Sequence, residues 1–208
     1  WLTFTNELMN TTPLAFDYQS STPCDKSVID AMSPYWYEIW GNPSNMHNRL
    51  GTHASAATSF ARENLASIFD ISPERVIFTS GATEANNLAL LGHARAKAFK
   101  EGSPGHLITL SSEHTSVIEP LRQLRKEGFS VSELTPNSDG IIVLEDLVDA
   151  FQENTFLVSI MAANNEIGVL QPISEIAFLC KERGVTFHCD AAQAFGNLAL
   201  EVDEIGID

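Results

Sequence analysis

The sequence HLITLSSEHTSVIEPLRQLRKEGFSVSELTP, residues 106–136, contains a strand pattern, a helical pattern and a second strand pattern in that order. The two strand patterns, HLITLSS and FSVSELTP, are short runs that contain apolar and β-branched residues. The helical pattern between them, TSVIEPLRQLRKEG, ends at Gly128, a residue type that commonly terminates helices. This order favours two parallel strands joined by a helix.

The same alternation continues on both sides of this segment. Before it, the run RVIFTS at residues 75–80 predicts a strand and GATEANNLALLGHARAKAF predicts a helix. After it come a helix, LEDLVDAFQE, a strand, TFLVSIMAAN, a helix, PISEIAFLCKERG, and a strand, VTFHCDAA. The strands are too apolar to have one face in water. The sequence therefore predicts five strands in a three-layer α/β/α fold with a mostly parallel sheet.

Two further stretches precede the alternation. Residues 54–70 place apolar side chains three and four positions apart, which predicts a helix. Residues 33–52 are rich in Pro, Ser and Asn, and we expect an irregular loop there.

The composition argues against several classes of partner. The 208 residues contain 12 Lys and Arg against 27 Asp and Glu, a formal net charge of −15, which repels the phosphates of nucleic acids and anionic lipids. No apolar run approaches the roughly 18 residues that a membrane span requires, and the N-terminus lacks the features of a signal peptide. We therefore expect a soluble, cytoplasmic protein that binds neither nucleic acid nor membranes.

Several common cofactor and metal motifs are missing from the sequence. Cys24, Cys180 and Cys189 form no CxxC pair, and the sequence contains neither GxG nor GxxxxGK. His188, Cys189 and Asp190 are adjacent, but successive side chains of a strand face opposite sides, so they cannot all bind one metal. No G-x-S-x-G motif indicates a nucleophilic serine. We expect no metal site.

Polar groups follow four of the five predicted strands, at residues 80–84, 111–114, 164–168 and 190–193. The carboxyl ends of parallel strands lie at one edge of a sheet, and ligands bind there. Gly81 permits a tight turn, after which backbone N–H groups and the Thr83 hydroxyl could bind an anion at a helix N-terminus. The alternative is simple capping of the helix.

Asp190 follows an apolar run, so its carboxylate needs a cationic partner such as a protonated pyridine nitrogen. A helix cap or a structural hydrogen bond is the alternative. His114 is either a ring-stacking or proton-carrying residue or a polar loop residue. Asn164 either forms part of a turn or donates an amide hydrogen bond to the phenolate oxygen of a ligand. Gln193 either contacts the same ligand or faces solvent.

Six segments of the sequence resemble the cysteine desulfurases, a branch of the class V aminotransferases that has the fold-type I architecture and uses pyridoxal 5′-phosphate (PLP). The matching segments are FDYQSSTP, GNPSNMHNRLG, VIFTSGATEANNLAL, SSEHTSVIEP, VSIMAANNEIGVLQPI and FHCDAAQAFG. They occur in family order from about Leu14 to Asp208, over nearly the whole chain. The resemblance implies the large domain of a PLP-dependent transferase.

The resemblance also implies roles for individual residues. Ala82 and Thr83 would hold the PLP phosphate, and Asp190 would pair with the pyridinium nitrogen. His114 would stack on the ring and help to move protons. Asn164 would contact the ring hydroxyl side, and Gln193 would donate a hydrogen bond to the phenolate oxygen.

The family reaction takes sulfur from L-cysteine and leaves alanine and an enzyme persulfide, which is delivered to sulfur-acceptor or scaffold proteins in iron–sulfur cluster assembly. A homodimer is also implied. Selenocysteine lyase or aminotransferase activity, or a non-enzymatic structural or regulatory role, remain alternatives.

The family's Schiff-base lysine lies in a Ser-x-His-Lys segment that would follow Asp208, and the persulfide cysteine and the small domain lie further on. The five lysines present match nothing in that segment. The resemblance therefore implies a partial large domain at residues 26–208, preceded by an N-terminal arm at residues 1–25. We expect this chain to be inactive by itself.

Overall fold

A computed structural model of the protein describes residues 16–198 and 202–207. The chain divides into two compact units, Trp1–Trp40 and Gly41–Asp208. The first unit contains the helices α1 (Lys26–Met32) and α2 (Pro34–Tyr37). Asp25 caps α1 by accepting a hydrogen bond from the backbone N–H of Ser27 at 2.8 Å. The expected boundary between residues 25 and 26 stays a prediction.

The second unit alternates helices and strands. In chain order they are α3 (Arg49–Ile68), α4 (Ala82–Glu101), β1 (His106–Leu110), α5 (Thr115–Lys126), β2 (Ser130–Leu134), α6 (Leu144–Ala150), β3 (Thr155–Ser159), α7 (Ile173–Arg183), β4 (Thr186–His188) and α8 (Val202–Ile205). A short 3₁₀ turn at Pro73–Arg75 lies between α3 and α4. In the described part of the chain, no helix combines the length and the apolar character needed to cross a bilayer.

The sheet has the strand order β2-β1-β3-β4, and every pair of neighbours is parallel. All five residues of β1 and of β3 are buried, as expected for strands covered on both faces. The prediction of an α/β fold with a parallel sheet is confirmed.

Two apolar clusters show how the helices cover the sheet. Leu107 of β1 and Leu157 of β3 pack with residues of α4 and α5. Ile108 and Val158, one position further along each strand, pack with residues of α6 and α7. Successive side chains of a strand face opposite sides of the sheet, so these clusters are the two core layers of the predicted α/β/α arrangement.

The predicted strand at residues 75–80 is wrong, because the described sheet has four strands and this segment is in none of them. A β-branched run becomes a strand only where a neighbouring strand can pair with its backbone. Here the carbonyl of Val76 accepts a hydrogen bond from Nε of Arg62 at 3.2 Å, and the Arg62 guanidinium lies over the Phe78 ring. Ile77 is 68% exposed.

The predicted loop at residues 33–52 is wrong in part, because it contains α2 and the first turn of α3. Asn48 caps α3 by accepting a hydrogen bond from the Gly51 N–H at 2.8 Å. A side chain at Gly51 would overlap the backbone carbonyl of Asn45, so this close approach requires glycine.

Candidate functional site

The candidate site lies at the carboxyl ends of β1, β3 and β4 and at the N-terminal ends of α4 and α5. Asp190, two residues beyond β4, is 9% exposed. Its Oδ2 accepts a hydrogen bond from Nδ2 of Asn86 at 2.8 Å, and its Oδ1 accepts one from the Ala192 N–H at 2.9 Å. Both donors, the Asn86 amide and the Ala192 N–H, are neutral groups. A carboxylate so placed is suited to bind a cationic N–H group.

A chain of hydrogen bonds connects Asp190 to His114. Nδ2 of Asn86 also donates to Oγ of Ser116 at 2.9 Å, and that oxygen lies 2.8 Å from Nδ1 of His114. The Ser116 backbone N–H donates to the same Nδ1 at 3.1 Å. Because Nδ1 accepts this bond, a neutral His114 ring carries its proton on Nε2.

The predicted phosphate site at the start of α4 has a suitable geometry. Gly81 is the N-cap residue, and no side chain caps the described first turn of α4. Glu84 instead accepts hydrogen bonds from the N–H and the hydroxyl of Ser80, each at 2.6 Å. Uncapped N–H groups and the positive end of the helix dipole suit an anion.

Two cavities of about 390 Å³ each lie along this helix. Ala82, Asn86 and Asp190 line one of them, together with apolar residues that include Ala191 and Phe195. Thr83 and Ser116 line the other. The predicted site residues Ala82 and Asp190 thus line one cavity, and Thr83 lines the neighbouring cavity.

Asn164 is 6% exposed and uses its amide within the protein. Its Nδ2 donates to the Ser112 carbonyl at 2.9 Å, and its Oδ1 accepts from the N–H groups of Glu166 and Ile167. It therefore holds the loop after β3 against the loop after β1, which is the turn role that the sequence left open. Gln193 is half-buried in the turn after β4. Contacts of both side chains with a cofactor stay predictions.

Burial shifts the protonation of three groups around Asp190. It raises the pKa of Glu113 to about 8, and the charge of Asp190 contributes to the rise. It lowers the pKa of His188 to about 4, with Asp190 opposing the shift. It raises the pKa of the Cys189 thiol to about 12, so this cysteine is a poor nucleophile at neutral pH.

These features suit a ligand that carries a cationic N–H group and an anionic group. The buried Asp190 carboxylate suits the cationic group, and the start of α4 suits the anion. The model of the family described as "Aminotransferase class-V" matches residues 14–208. The chain belongs to this family. The motif resemblance to the cysteine desulfurase branch of the class V aminotransferases is confirmed by the relatives that follow.

Cysteine desulfurases are among the proteins that this chain is similar to. The chain is 47% identical to the mitosomal cysteine desulfurase of Encephalitozoon cuniculi over 192 residues, 92% of this chain and 44% of that protein. It is 43% identical to the cysteine desulfurase IscS of Rickettsia akari, over 98% of this chain and 49% of that one. Identity to the human cysteine desulfurase is 46%, over 94% and 42%. The chain therefore spans about half the length of the curated relatives it matches.

Two solved structures superpose closely on the chain. A structure described as SspA in complex with cysteine superposes with a TM-score of 0.87 at 41% identity, over 93% of this chain and 55% of that one. A NifS-like protein superposes with a TM-score of 0.85 at 34% identity, over 93% and 52%.

Sequence reasoning did not single out three residues of this candidate site: Asn86, Ser116 and Glu113. All three are buried polar residues. The available signal was weak: Asn86 is a polar residue on the inner side of α4, and Glu113 precedes His114 in a strand-end group. Burial and partners of such residues depend on contacts distant in sequence.

Proposed function

We propose that this chain forms part of the PLP-binding domain of a cysteine desulfurase, which transfers sulfur from L-cysteine and leaves alanine and a persulfide on an enzyme cysteine. The observation that carries the proposal is the buried Asp190 carboxylate, held by Asn86 and the Ala192 N–H in a chain similar to desulfurases over 92% of its length. Residues 26–208 would be the partial large domain and residues 1–25 an arm.

PLP, when bound, supplies an electron-withdrawing ring that stabilises negative charge at the α-carbon of the substrate. Asp190 would keep the ring nitrogen protonated, because a nearby carboxylate favours the charged form of a base. Ala82 and Thr83 would bind the phosphate at the start of α4. Asn164 and Gln193 would contact the ring oxygen.

His114 is the proposed catalytic residue of this chain. It would stack on the ring and hold or move a proton at Nε2, since its Nδ1 accepts hydrogen bonds from Ser116. The same Ser116 contacts hold the His114 imidazole in position. The orientation of His114 would therefore be coupled through Asn86 to Asp190.

The biological setting is also part of the proposal. A homodimer, sulfur-acceptor or scaffold proteins as partners, a role in iron–sulfur cluster assembly and a cytoplasmic location are what the family resemblance and the composition support. Relatives named mitosomal and mitochondrial show that the location varies among similar proteins.

PLP binding by the variant Asp190→Asn tests the proposal. A charge-assisted hydrogen bond contributes about 1.5–3 kcal/mol, so we expect Kd for PLP in equilibrium dialysis to rise by about 10- to 100-fold. The control Asp149→Asn changes an exposed carboxylate on α6 and should leave Kd unchanged. In a desulfurase that carries this sequence, Asp190→Asn should also abolish most alanine formation from L-cysteine. Equal Kd values for both variants, or turnover of another amino acid in preference to L-cysteine, would contradict the proposal.

A further inference from the structure

Glu113 is a buried carboxylic acid that the proposed mechanism does not use. It lies directly before His114 and is 7% exposed. Its Oε1 accepts a hydrogen bond from the Met161 N–H at 2.8 Å. Its Oε2 is buried without a hydrogen-bond partner, and no ion pair in the described part of the chain includes it. An ionised carboxylate is costly in such surroundings.

Two titratable groups in the described part of the chain act electrostatically on Glu113, and both are acids. Asp190 and Cys189 interact with it electrostatically. The Cys189 thiol stays protonated because its pKa is raised to about 12. His188, which interacts with Asp190, is neutral at pH 7 because burial lowers its pKa to about 4. If Glu113 and Asp190 were both ionised, they would therefore repel each other, and neither Cys189 nor His188 supplies a compensating positive charge.

The hydrogen bonds show which of the two acids keeps the charge. Both oxygens of Asp190 accept a bond from an N–H group, whereas Glu113 accepts one bond at one oxygen. Hydrogen bonds to the charged form favour ionisation. The two acids are also held by one segment, because Met161 donates to Glu113 and the next residue, Ala162, donates to the Asp190 carbonyl at 2.9 Å.

We propose that Glu113 and Asp190 share a single negative charge, carried by Asp190, and that Glu113 is a positioning residue that retains its proton. A neutral Glu113 anchors the loop after β1 to Met161 without adding a second charge beside Asp190. If the proposed function is correct, one carboxylate then balances one pyridinium. The charge sharing itself does not depend on PLP.

The charge sharing predicts a specific pH dependence of stability. The unfolded chain releases the Glu113 proton near the ordinary value of 4.5, whereas the folded chain keeps it up to a pKa of about 8. Between these values the folded state binds more protons, so the free energy of unfolding falls as pH rises. Below and above this window, Glu113 contributes no slope.

The test is urea unfolding of the full chain at a series of pH values from 5 to 9, without PLP. Glu113→Gln is neutral at every pH and can still accept the Met161 bond. Its midpoint should rise relative to wild type as pH increases through the window. The control Glu119→Gln, an exposed residue of α5, should follow the wild-type curve in parallel. If Glu113→Gln also runs parallel to wild type, the proposal is overturned.

A second measurement follows the titration of Glu113 directly and does not depend on protein stability. In wild-type protein with ¹³C-labelled glutamate carboxyl groups, one resonance should titrate near pH 8 and disappear in Glu113→Gln. Asp190→Asn should move that titration to lower pH, because it removes the neighbouring charge. If every glutamate titrates near its ordinary value, the proposal fails. Loss of PLP binding with this titration retained would instead overturn only the proposed function.

Discussion

Nδ2 of Asn86 donates a hydrogen bond of 2.8 Å to Oδ2 of Asp190, 104 positions later in the chain. The same amide nitrogen donates to Oγ of Ser116 at the start of α5. One side chain on α4 therefore aligns the ends of β4 and α5, which carry the two groups proposed to act on the PLP ring, Asp190 and His114.

Asn86→Ala should destabilise the protein and weaken PLP binding. The variant leaves a buried carboxylate oxygen with one donor fewer, which costs about 1–3 kcal/mol of unfolding free energy. The matched control Asn87→Ala removes a bond to the Thr83 carbonyl at the half-buried neighbouring position and should cost less than about 1 kcal/mol. Urea unfolding measures the loss of stability in both variants. Equal losses for the two variants would show that the bond to Asp190 has no special importance.

PLP should bind to this chain reversibly, without a covalent bond to lysine. The cavity lined by Asp190 and Asn86 contains no lysine among its described lining residues, and Lys97 pairs with Glu101 on α4. Borohydride reduction of the PLP mixture, followed by mass spectrometry, should give no stoichiometric adduct. A single adduct on Lys26, Lys97, Lys100, Lys126 or Lys181 would contradict this prediction.

His188 should make the protein acid-sensitive between about pH 6.5 and pH 4. Its ring is half-buried beside Oγ of Ser159, and burial lowers its pKa from 6.5 to about 4. The unfolded chain binds a proton in this range and the folded chain does not, so stability is retained above pH 6.5 and lost as pH falls. The loss is at most roughly 3 kcal/mol. His188→Gln should reduce the pH dependence of the unfolding midpoint between pH 6.5 and 4. The control His53→Gln, at an exposed position, should leave that pH dependence unchanged.

The isolated chain should self-associate. β4 pairs with β3 on one side only in the described sheet, and Ile77 and Phe78 are exposed in an extended segment outside it. Such edges and apolar segments favour association despite the net charge of −15. Sedimentation at several concentrations should show dimers or larger species, and Ile77→Ser should reduce them more than Phe99→Ser on α4. A monomer at all concentrations would exclude this behaviour.

Two helical glycines should respond oppositely to alanine. Gly51→Ala places a methyl group against the Asn45 carbonyl and should destabilise the protein by about 1–3 kcal/mol. Gly92→Ala on α4 meets open space and should stabilise it by about 0.5–1 kcal/mol. Thermal unfolding of the two variants distinguishes these outcomes, and a shift in the same direction for both would refute the packing argument.

The sequence by itself determined the order of helices and strands from residue 106 onward, the parallel sheet and the family. These properties depend on local periodicity and on short motifs, which survive without knowledge of distant contacts. The rule that polar groups gather at the carboxyl ends of parallel strands was enough to place His114, Asn164 and Asp190 at one edge.

Only the tertiary structure decided which of the predicted strands pair in the sheet and how the polar groups are connected. Residues 76–79 have the composition of a strand, but pairing requires a neighbouring backbone, and the sequence pattern contains no information about that neighbour. The bonds from Asn86 to Asp190 and Ser116 join positions 104 and 30 residues apart. The protonation of Glu113 likewise follows from burial beside Asp190, because a charge is costly only where the fold removes water from it.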